Sequence, residues 1–154
     1  MRALRLALPC SLWLLMPACQ ADEVGGVDVS IARAQLDVSP GSPDGLATLD
    51  LTIELQARDL DEEVTLVSVE IVEQPVSEGS PRQALAVEMV NTTDEGEVLR
   101  LDGGAMGVGR INNIGTTNGQ LESWCRKPVQ MVVVVDTMHE GEAEASADTT
   151  VRCP

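Results

Sequence analysis

The four cysteines are the residues of this 154-residue chain whose chemistry depends most on position. Cys10 and Cys19 lie near the N-terminus, whereas Cys125 and Cys153 lie near the C-terminus. The two C-terminal thiols could bind a metal, but a structural zinc prefers four ligands and the chain has one His, His139. The sequence has no Cys-x-x-Cys motif, which would indicate a redox centre. We therefore expect a Cys125–Cys153 disulfide, because the sequence also predicts export to an oxidising compartment.

A second candidate site is the acidic run at residues 59–63. Its carboxylates, Asp59, Asp61, Glu62 and Glu63, are hard oxygen ligands that could hold calcium on a turn between two strands. The run lacks the spacing of an EF-hand, and a solvated turn that keeps the domain soluble accounts for it better. We favour the solvated turn and keep calcium as the one candidate cofactor.

Catalytic constellations are poorly supported. His139 is predicted at a hairpin tip, whereas a Ser-His-Asp arrangement needs its base held by packing and by a third group. Pairs of carboxylates arise by chance among 25 acidic residues, and no aromatic cleft accompanies them. We predict no enzymatic activity and no catalytic residue. The alternative is a secreted hydrolase or a calcium- or metal-dependent enzyme that uses loop carboxylates.

The composition excludes several partners. The chain has 25 acidic and 10 basic residues, a net charge of −15, two Trp, and neither Phe nor Tyr. Nucleic acid and anionic lipid both require basic clusters, and the only basic pair is Arg126-Lys127. Carbohydrate stacking is disfavoured because only Trp124 lies outside the N-terminal apolar segment. A protein partner would have to use a strand edge or offer a basic surface.

The N-terminus has the pattern of an export signal. Arg2 and Arg5 precede an apolar run over residues 6–16. This run of 11 residues is too short to cross a bilayer, which takes about 20 residues in a helix. A positive start, a short apolar stretch and small residues after it are typical of a secretory signal peptide.

The end of this signal resembles the lipobox of bacterial lipoprotein precursors. The motif is Met16-Pro17-Ala18-Cys19, with Met16 where Leu is usual and Pro17 where Ala or Ser is usual. The resemblance implies that Cys19 is lipidated and becomes the first residue of a membrane-anchored chain. Gln20, which is not Asp, favours the outer membrane. The alternative is ordinary cleavage after Ala21, which would give a soluble periplasmic or secreted protein.

These features divide the chain into three parts. Residues 1–18 form the signal peptide, or residues 1–21 under ordinary cleavage, residues 19–26 form a tether, and residues 27–154 form one domain. Without Arg2 and Arg5, the 25 acidic side chains face 8 basic ones, so the mature chain has a net charge of −17. The sequence thus predicts an exported, lipid-anchored protein of the bacterial cell envelope with a structural or binding role.

The domain itself has the periodicity of β-strands. Apolar and polar residues alternate over residues 46–57 and again over residues 142–152. Between them, Val129–Val135 is apolar on both faces, as in a central strand. A turn at His139–Gly141 would fold the last two segments into a hairpin, with Ala143, Ala145 and Ala147 opposite Val135, Val133 and Met131. The same register brings Cys153 close to Cys125, which supports the disulfide independently.

The remaining segments predict an all-β fold. Residues 27–38 change parity midway, which indicates a bulge. Shorter strands are expected around Val67, Val69 and Ile71, around Leu85 to Met89, and around Leu99 to Leu101. We predict a single antiparallel β-sandwich of about seven to eight strands, which resembles the immunoglobulin-like architecture. The disulfide would close its C-terminal hairpin.

A glycine-rich stretch occupies residues 103–109. Gly107 and Gly109 lack the third glycine and the βαβ context of a dinucleotide-binding loop, so we expect a flexible loop or an edge strand with glycine. The irregular region extends to about residue 120 and is the best place for a binding loop. Trp124 is expected to close one end of the core.

Overall fold

The structure is a computed structural model that describes residues 24–39, 47–91, 98–113 and 119–153. These residues contain nine β-strands and one short 3-10 helix. The strands are β1 Val27–Val38, β2 Ala47–Ala57, β3 Glu62–Glu73, β4 Arg82–Ala84, β5 Val87–Asn91, β6 Val98–Leu101, β7 Met106–Asn113, β8 Pro128–Thr137 and β9 Gly141–Thr150, and the helix is Gly119–Trp124.

Two antiparallel sheets pack face to face as a β-sandwich. The order in the first sheet is β1-β2-β7-β5, and the order in the second is β4-β3-β8-β9, with β6 paired to the first half of β3. Alternating side chains of both sheets meet in one core, as in β2, where every second residue from Ala47 to Ala57 is buried. The predicted all-β sandwich is confirmed.

The C-terminal hairpin is confirmed residue by residue. Met131, Val133 and Val135 of β8 lie opposite Ala147, Ala145 and Ala143 of β9. The ladder ends at Pro128 and Thr150, and the Sγ atoms of Cys125 and Cys153 form a disulfide just beyond it, with 5.6 Å between the two Cα atoms. Large β8 side chains facing small β9 ones set this register.

The parity change in β1 is also confirmed as a bulge. The pairing of β1 with β2 shifts between Ile31 and Arg33. After the bulge, β1 keeps β2 as its neighbour and gains a parallel bridge between Asp37 and Arg152 at the C-terminal end of the chain. The second half of β1 therefore links the edges of the two sheets on that side.

The strand expected around Val67, Val69 and Ile71 is β3, but these three alternate residues do not share one face. Val69 and Ile71 are fully buried, but Val67 is half exposed. The pairing of β3 with β8 shifts between Leu66 and Ser68, and this bulge turns Val67 outward. The segment from Leu85 to Met89 is likewise divided, since Leu85 follows β4 and only the later residues join β5.

The glycine-rich region is neither the flexible loop nor the edge strand that was expected. Met106–Asn113 is β7, a strand that lies between β2 and β5 inside the first sheet. Gly107 and Gly109 face the core, where a Cβ atom on Gly109 would lie 3.0 Å from both Ile53 and Met89. The glycines allow these side chains to pack closely, and they leave Ile111 as the apolar residue of the inner face among positions 107, 109 and 111, so the alternation that marks a strand is weak.

The core consists almost entirely of aliphatic side chains. Its largest fully buried members include Leu51, Leu55, Ile71 and Met131. Trp124, in the 3-10 helix, is 7% exposed and belongs to this cluster, so its predicted place at one end of the core is confirmed. Among the described residues, no helix is both long and apolar enough to cross a membrane.

Candidate functional site

The densest group of polar contacts lies where the first described residues meet three turns. This N-terminal end comprises residues 24–26, the β2–β3 turn (58–61), the β6–β7 turn (102–105) and the β8–β9 turn (138–140). The first three segments are joined by main-chain hydrogen bonds, since Arg58 N donates to Gly26 O at 3.0 Å and Gly104 N donates to Arg58 O at 2.5 Å. Val24 and Asp59 bond to each other in the same way, with Asp59 N donating to Val24 O.

Glu62 is the centre of this end. It is the first residue of β3, and its side chain is completely buried. Its Oε1 atom accepts hydrogen bonds from Gly26 N at 2.5 Å and from His139 Nδ1 at 2.9 Å, and its Oε2 atom accepts one from Met138 N at 3.0 Å. One carboxylate therefore fastens the beginning of the domain and the tip of the C-terminal hairpin to β3.

The pKa of Glu62 results from two opposing effects. Burial favours the neutral acid and raises the pKa, but the hydrogen bonds from Gly26 and His139, together with the charge of His139, favour the carboxylate. The second effect is stronger, so the pKa of Glu62 lies below its ordinary value of 4.5. Glu62 is thus held as an anion by the donors around it, a state that keeps all three contacts in place at neutral pH.

Two glycines let the chain pass close to the hairpin tip. A Cβ atom on Gly25 would collide with the Cβ of His139, which cannot swing away. Gly26 has a φ of +104°, a conformation that favours glycine, and a Cβ there would meet the carboxylate of Glu140. The pair Gly25-Gly26 is therefore required for the docking of the N-terminal segment.

Arg58 ties the same parts together at the surface. Its guanidinium pairs with Asp28 of β1 at 2.8 Å and with Glu140 of the β8–β9 turn at 2.5 Å. The hydrogen bond and charge of Asp28, followed by the charge of Glu140, raise the pKa of Arg58, so the group stays charged. Because these side chains are exposed, their contribution is weakened by solvent and salt.

The predicted calcium candidates lie at this end, but they do not converge. The run is divided, because Asp59 and Asp61 lie in the turn whereas Glu62 and Glu63 begin β3. Asp59 accepts a hydrogen bond from Val24 N, Asp61 accepts one from Gly103 N, and Glu63 pairs with Arg100 at 3.0 Å. The interpretation of the run as a solvated turn is therefore wrong for Glu62, which is buried because strand alternation places it on the inner face with Val64.

A shallow cleft of about 240 Å³ opens beside Glu62, and its walls include Asp61, Glu63, Arg100, Asp102 and Met138. Within the described ranges, no three His, Cys, Asp or Glu side chains come together in a way that could hold a metal ion. The chemistry that the carboxylates visibly perform is to accept hydrogen bonds from neighbouring turns. Calcium binding at the run stays a prediction.

Other predicted features have mixed outcomes. Cys10 and Cys19, and the signal as a whole, lie outside the described residues. His139 lies in the hairpin turn, where it was predicted; it is at the surface, and its Nδ1 atom bonds to Glu62, a contact that was not predicted. The role of Glu62 was not predicted from the sequence, although the Gly25-Gly26 pair just before the first strand was a signal for close packing there.

Comparisons with known proteins give only distant similarities. No protein-family model matches the chain, and the comparison with curated protein sequences finds no match either. The E. coli chaperone DraB is similar with a TM-score of 0.43 and 14% identity over 82% of this chain and 55% of the chaperone. The chain thus spans about half the length of that protein.

Two further solved structures are similar at the same level. PapD-like domain 7 of human CEP192 has a TM-score of 0.42 and 12% identity, over 82% of this chain and 86% of that domain. Self-complemented MyfA, the major subunit of Myf fimbriae from Yersinia enterocolitica, has a TM-score of 0.41 and 11% identity, over 82% and 98%. At these values the similarities carry no argument about family or function.

Proposed function

We propose that this chain is an exported protein of the bacterial cell envelope, held at a membrane by lipid on Cys19, that presents its acidic β-sandwich as a structural or binding module. The observation that carries the proposal is the position of Val24. Only five residues after Cys19, Val24 is already hydrogen-bonded to Asp59 at the N-terminal end. The chain therefore leaves little slack between the proposed anchor and the folded body.

The length of this tether limits where the domain can be. Five extended residues span at most about 17 Å, so the N-terminal end would stay close to the membrane surface. Two or three lipid chains on one Cys anchor a protein firmly, whereas one chain gives marginal binding. The carboxylates of the N-terminal end, such as Asp59, Asp61 and Asp102, would repel anionic headgroups and keep the sandwich in water.

The Cys125–Cys153 disulfide supports export. Disulfides persist in oxidising compartments such as the bacterial periplasm and the cell surface, and they are rare in a reducing cytosol. The N-terminal signal and the C-terminal disulfide therefore both support export. Gln20 after the anchor residue favours the outer membrane in this proposal.

A binding role rests on the surface composition. With one Trp in the domain and neither Tyr nor Phe, the surface lacks the aromatic side chains that usually dominate protein interfaces. Strand edges and negative charge are what the sandwich can offer. A partner would therefore pair with an edge, present a basic surface, or do both.

The mass of the mature protein from membranes of producing cells tests the proposal. We expect a chain that begins at a lipid-modified Cys19 and partitions into detergent, while a Cys19→Ala variant remains in the aqueous phase. An unmodified chain that begins at Asp22 would refute the anchor. Metal analysis of the same preparation, with a hydrolase screen, would reveal the alternative enzyme that uses loop carboxylates.

A further inference from the structure

Strand β7 has an unusual distribution of side chains. Two of its inward positions are Gly107 and Gly109, with Ile111 as the buried apolar residue after them, whereas two outward positions are apolar, with Met106 70% and Val108 43% exposed. A Cβ on Gly107 would collide with Leu101 Cδ2, so any larger residue there would require the Leu101 side chain to move. Packing of the core therefore explains the glycines, but it does not explain why the outward positions are apolar.

The neighbouring strand β5 extends this apolar surface. Val90, which is 40% exposed, lies directly opposite Arg110 of β7, and Arg110 follows Val108 on the same face. Met106, Val108, Val90 and the stem of Arg110 thus form one continuous area, which we call the β5–β7 face. It lies at the rim of the first sheet, because β5 is the last strand in the order β1-β2-β7-β5.

The other sheet edges carry features that discourage strand addition. β1 has the bulge at Ile31–Arg33 and a bridge to Arg152, and β9 presents Glu142 and Glu144 in its exposed row. β4 and β6 have only 3 and 4 residues. In the described part of the chain, β5 pairs with β7 alone, and its outer edge lies beside the apolar β5–β7 face.

Charge indicates what would cover this surface. Two acids flank the β5–β7 face: Glu54 of β2 lies opposite Val108, and Glu88 of β5 lies two residues before Val90. Within the described residues, neither acid takes part in an ion pair, and neither does Arg110. A second copy of the chain, with its net charge of −15, would be repelled. A segment with Lys or Arg beside apolar residues would satisfy both acids and cover the apolar area.

We propose that the β5 edge and the β5–β7 face are the docking site of an extended, basic segment of another protein, which adds to the first sheet as a strand. This inference deepens the binding role proposed above and does not depend on the lipid. The added strand would bond to the main chain of Val87–Asn91, its apolar side chains would cover Val90 and Val108, and its cations would face Glu54 and Glu88.

The probe for this site is a synthetic peptide of alternating Val and Lys residues, titrated against the mature protein by fluorescence anisotropy. We expect binding that a peptide of alternating Val and Glu does not show. Val108→Lys should weaken it about tenfold. The matched control is Val76→Lys, which makes the same charge change at a position 49% exposed and outside every strand. Equal weakening by both variants would show nonspecific attraction and overturn the proposal.

Amide hydrogen exchange gives the second readout. Peptide binding should slow amide exchange in Val87–Asn91 and leave the exchange rates of β9 unchanged. Slower exchange in β9 alone, or self-association that grows with protein concentration, would also contradict the proposal. The mass of the same preparation reports the lipid on Cys19, so failure of the docking site and failure of the anchor are seen separately.

Discussion

The two ends of the sandwich are held together by different chemistry. At the N-terminal end, four chain segments meet around the buried carboxylate of Glu62 and are fastened by hydrogen bonds and ion pairs. At the opposite end, which we call the disulfide end (residues 119–127 and 151–153), Leu121 and Trp124 fill the core and a covalent bond joins the strands. Protons should therefore loosen the first end, whereas reductants should loosen the second.

The ends also differ in charge. The N-terminal end and the strand residues next to it bring together mostly acids, with two Arg side chains among them: Asp28, Asp59, Asp61, Glu62, Glu63, Asp102 and Glu140, with Arg58 and Arg100. The disulfide end carries the basic pair Arg126-Lys127, of which Lys127 pairs with Glu73. A tethered domain would thus keep its most negative end toward the membrane and its less negative end away from it.

Removal of the disulfide should have the largest effect. The double variant Cys125→Ala with Cys153→Ala opens a loop of 28 residues and should lose on the order of 3–4 kcal/mol of unfolding free energy, because the unfolded chain regains freedom. Urea denaturation measures this loss. The wild-type protein in reductant should match the double variant. An unchanged urea midpoint would mean that Trp124 and its neighbours alone hold this end.

Removal of the Glu62 carboxylate should have the next largest effect. Glu62→Ala leaves the N–H groups of Gly26 and Met138 without an acceptor, at a cost of about 2–3 kcal/mol. Glu62→Gln should be milder, since one acceptor oxygen remains. The control is Glu63→Gln, which removes the neighbouring charge at an exposed position. Equal urea midpoints for Glu62→Ala and Glu63→Gln would mean that the hydrogen bonds to Glu62 contribute nothing to the free energy of unfolding.

The acid dependence of stability should show the smallest difference. Because the pKa of Glu62 is lowered on folding, its contribution is present above pH 4.5 and is lost as the pH falls through the lower pKa of the folded state. Unfolding midpoints measured from pH 6 to pH 3 should therefore fall more steeply for the wild type than for Glu62→Gln. The double Cys variant should keep the steeper slope, and parallel slopes for wild type and Glu62→Gln would contradict this assignment.

The C-terminal half of the fold was predictable because its side chains obey simple rules. Val133 and Val135 face Ala145 and Ala143, and this match of large and small residues leaves only one register. The hairpin then places Cys125 near Cys153 without further information. The bulge in β1 was visible for a related reason, since its apolar residues change face between Ile31 and Ala34.

Three features could not be derived because they depend on the tertiary neighbours of a residue. The glycines of β7 pack against Leu101 of the preceding strand and against Ile53 and Met89, which lie farther away in the sequence, so two inner positions of the strand carry no apolar side chain. The bulge that exposes Val67 is set by the pairing with β8 and leaves no local sign. The burial of Glu62 likewise depends on donors from Gly26 and Met138, although its spacing from Val64 was a local indication.

The first sheet has a mechanical consequence for a lipid-anchored chain. Force from the anchor would enter at Val24 and run along β1, which lies antiparallel to β2 over its whole length. Its hydrogen bonds would then be sheared together, because the pull is parallel to the strand, and they would not open one at a time. A partner held at β5 would complete a load path through β2 and β7 within a single sheet. Tension between membrane and partner would thus pass through hydrogen-bonded ladders, and the bond between Gly26 and Glu62 would carry part of the load into the second sheet where the chain enters the domain.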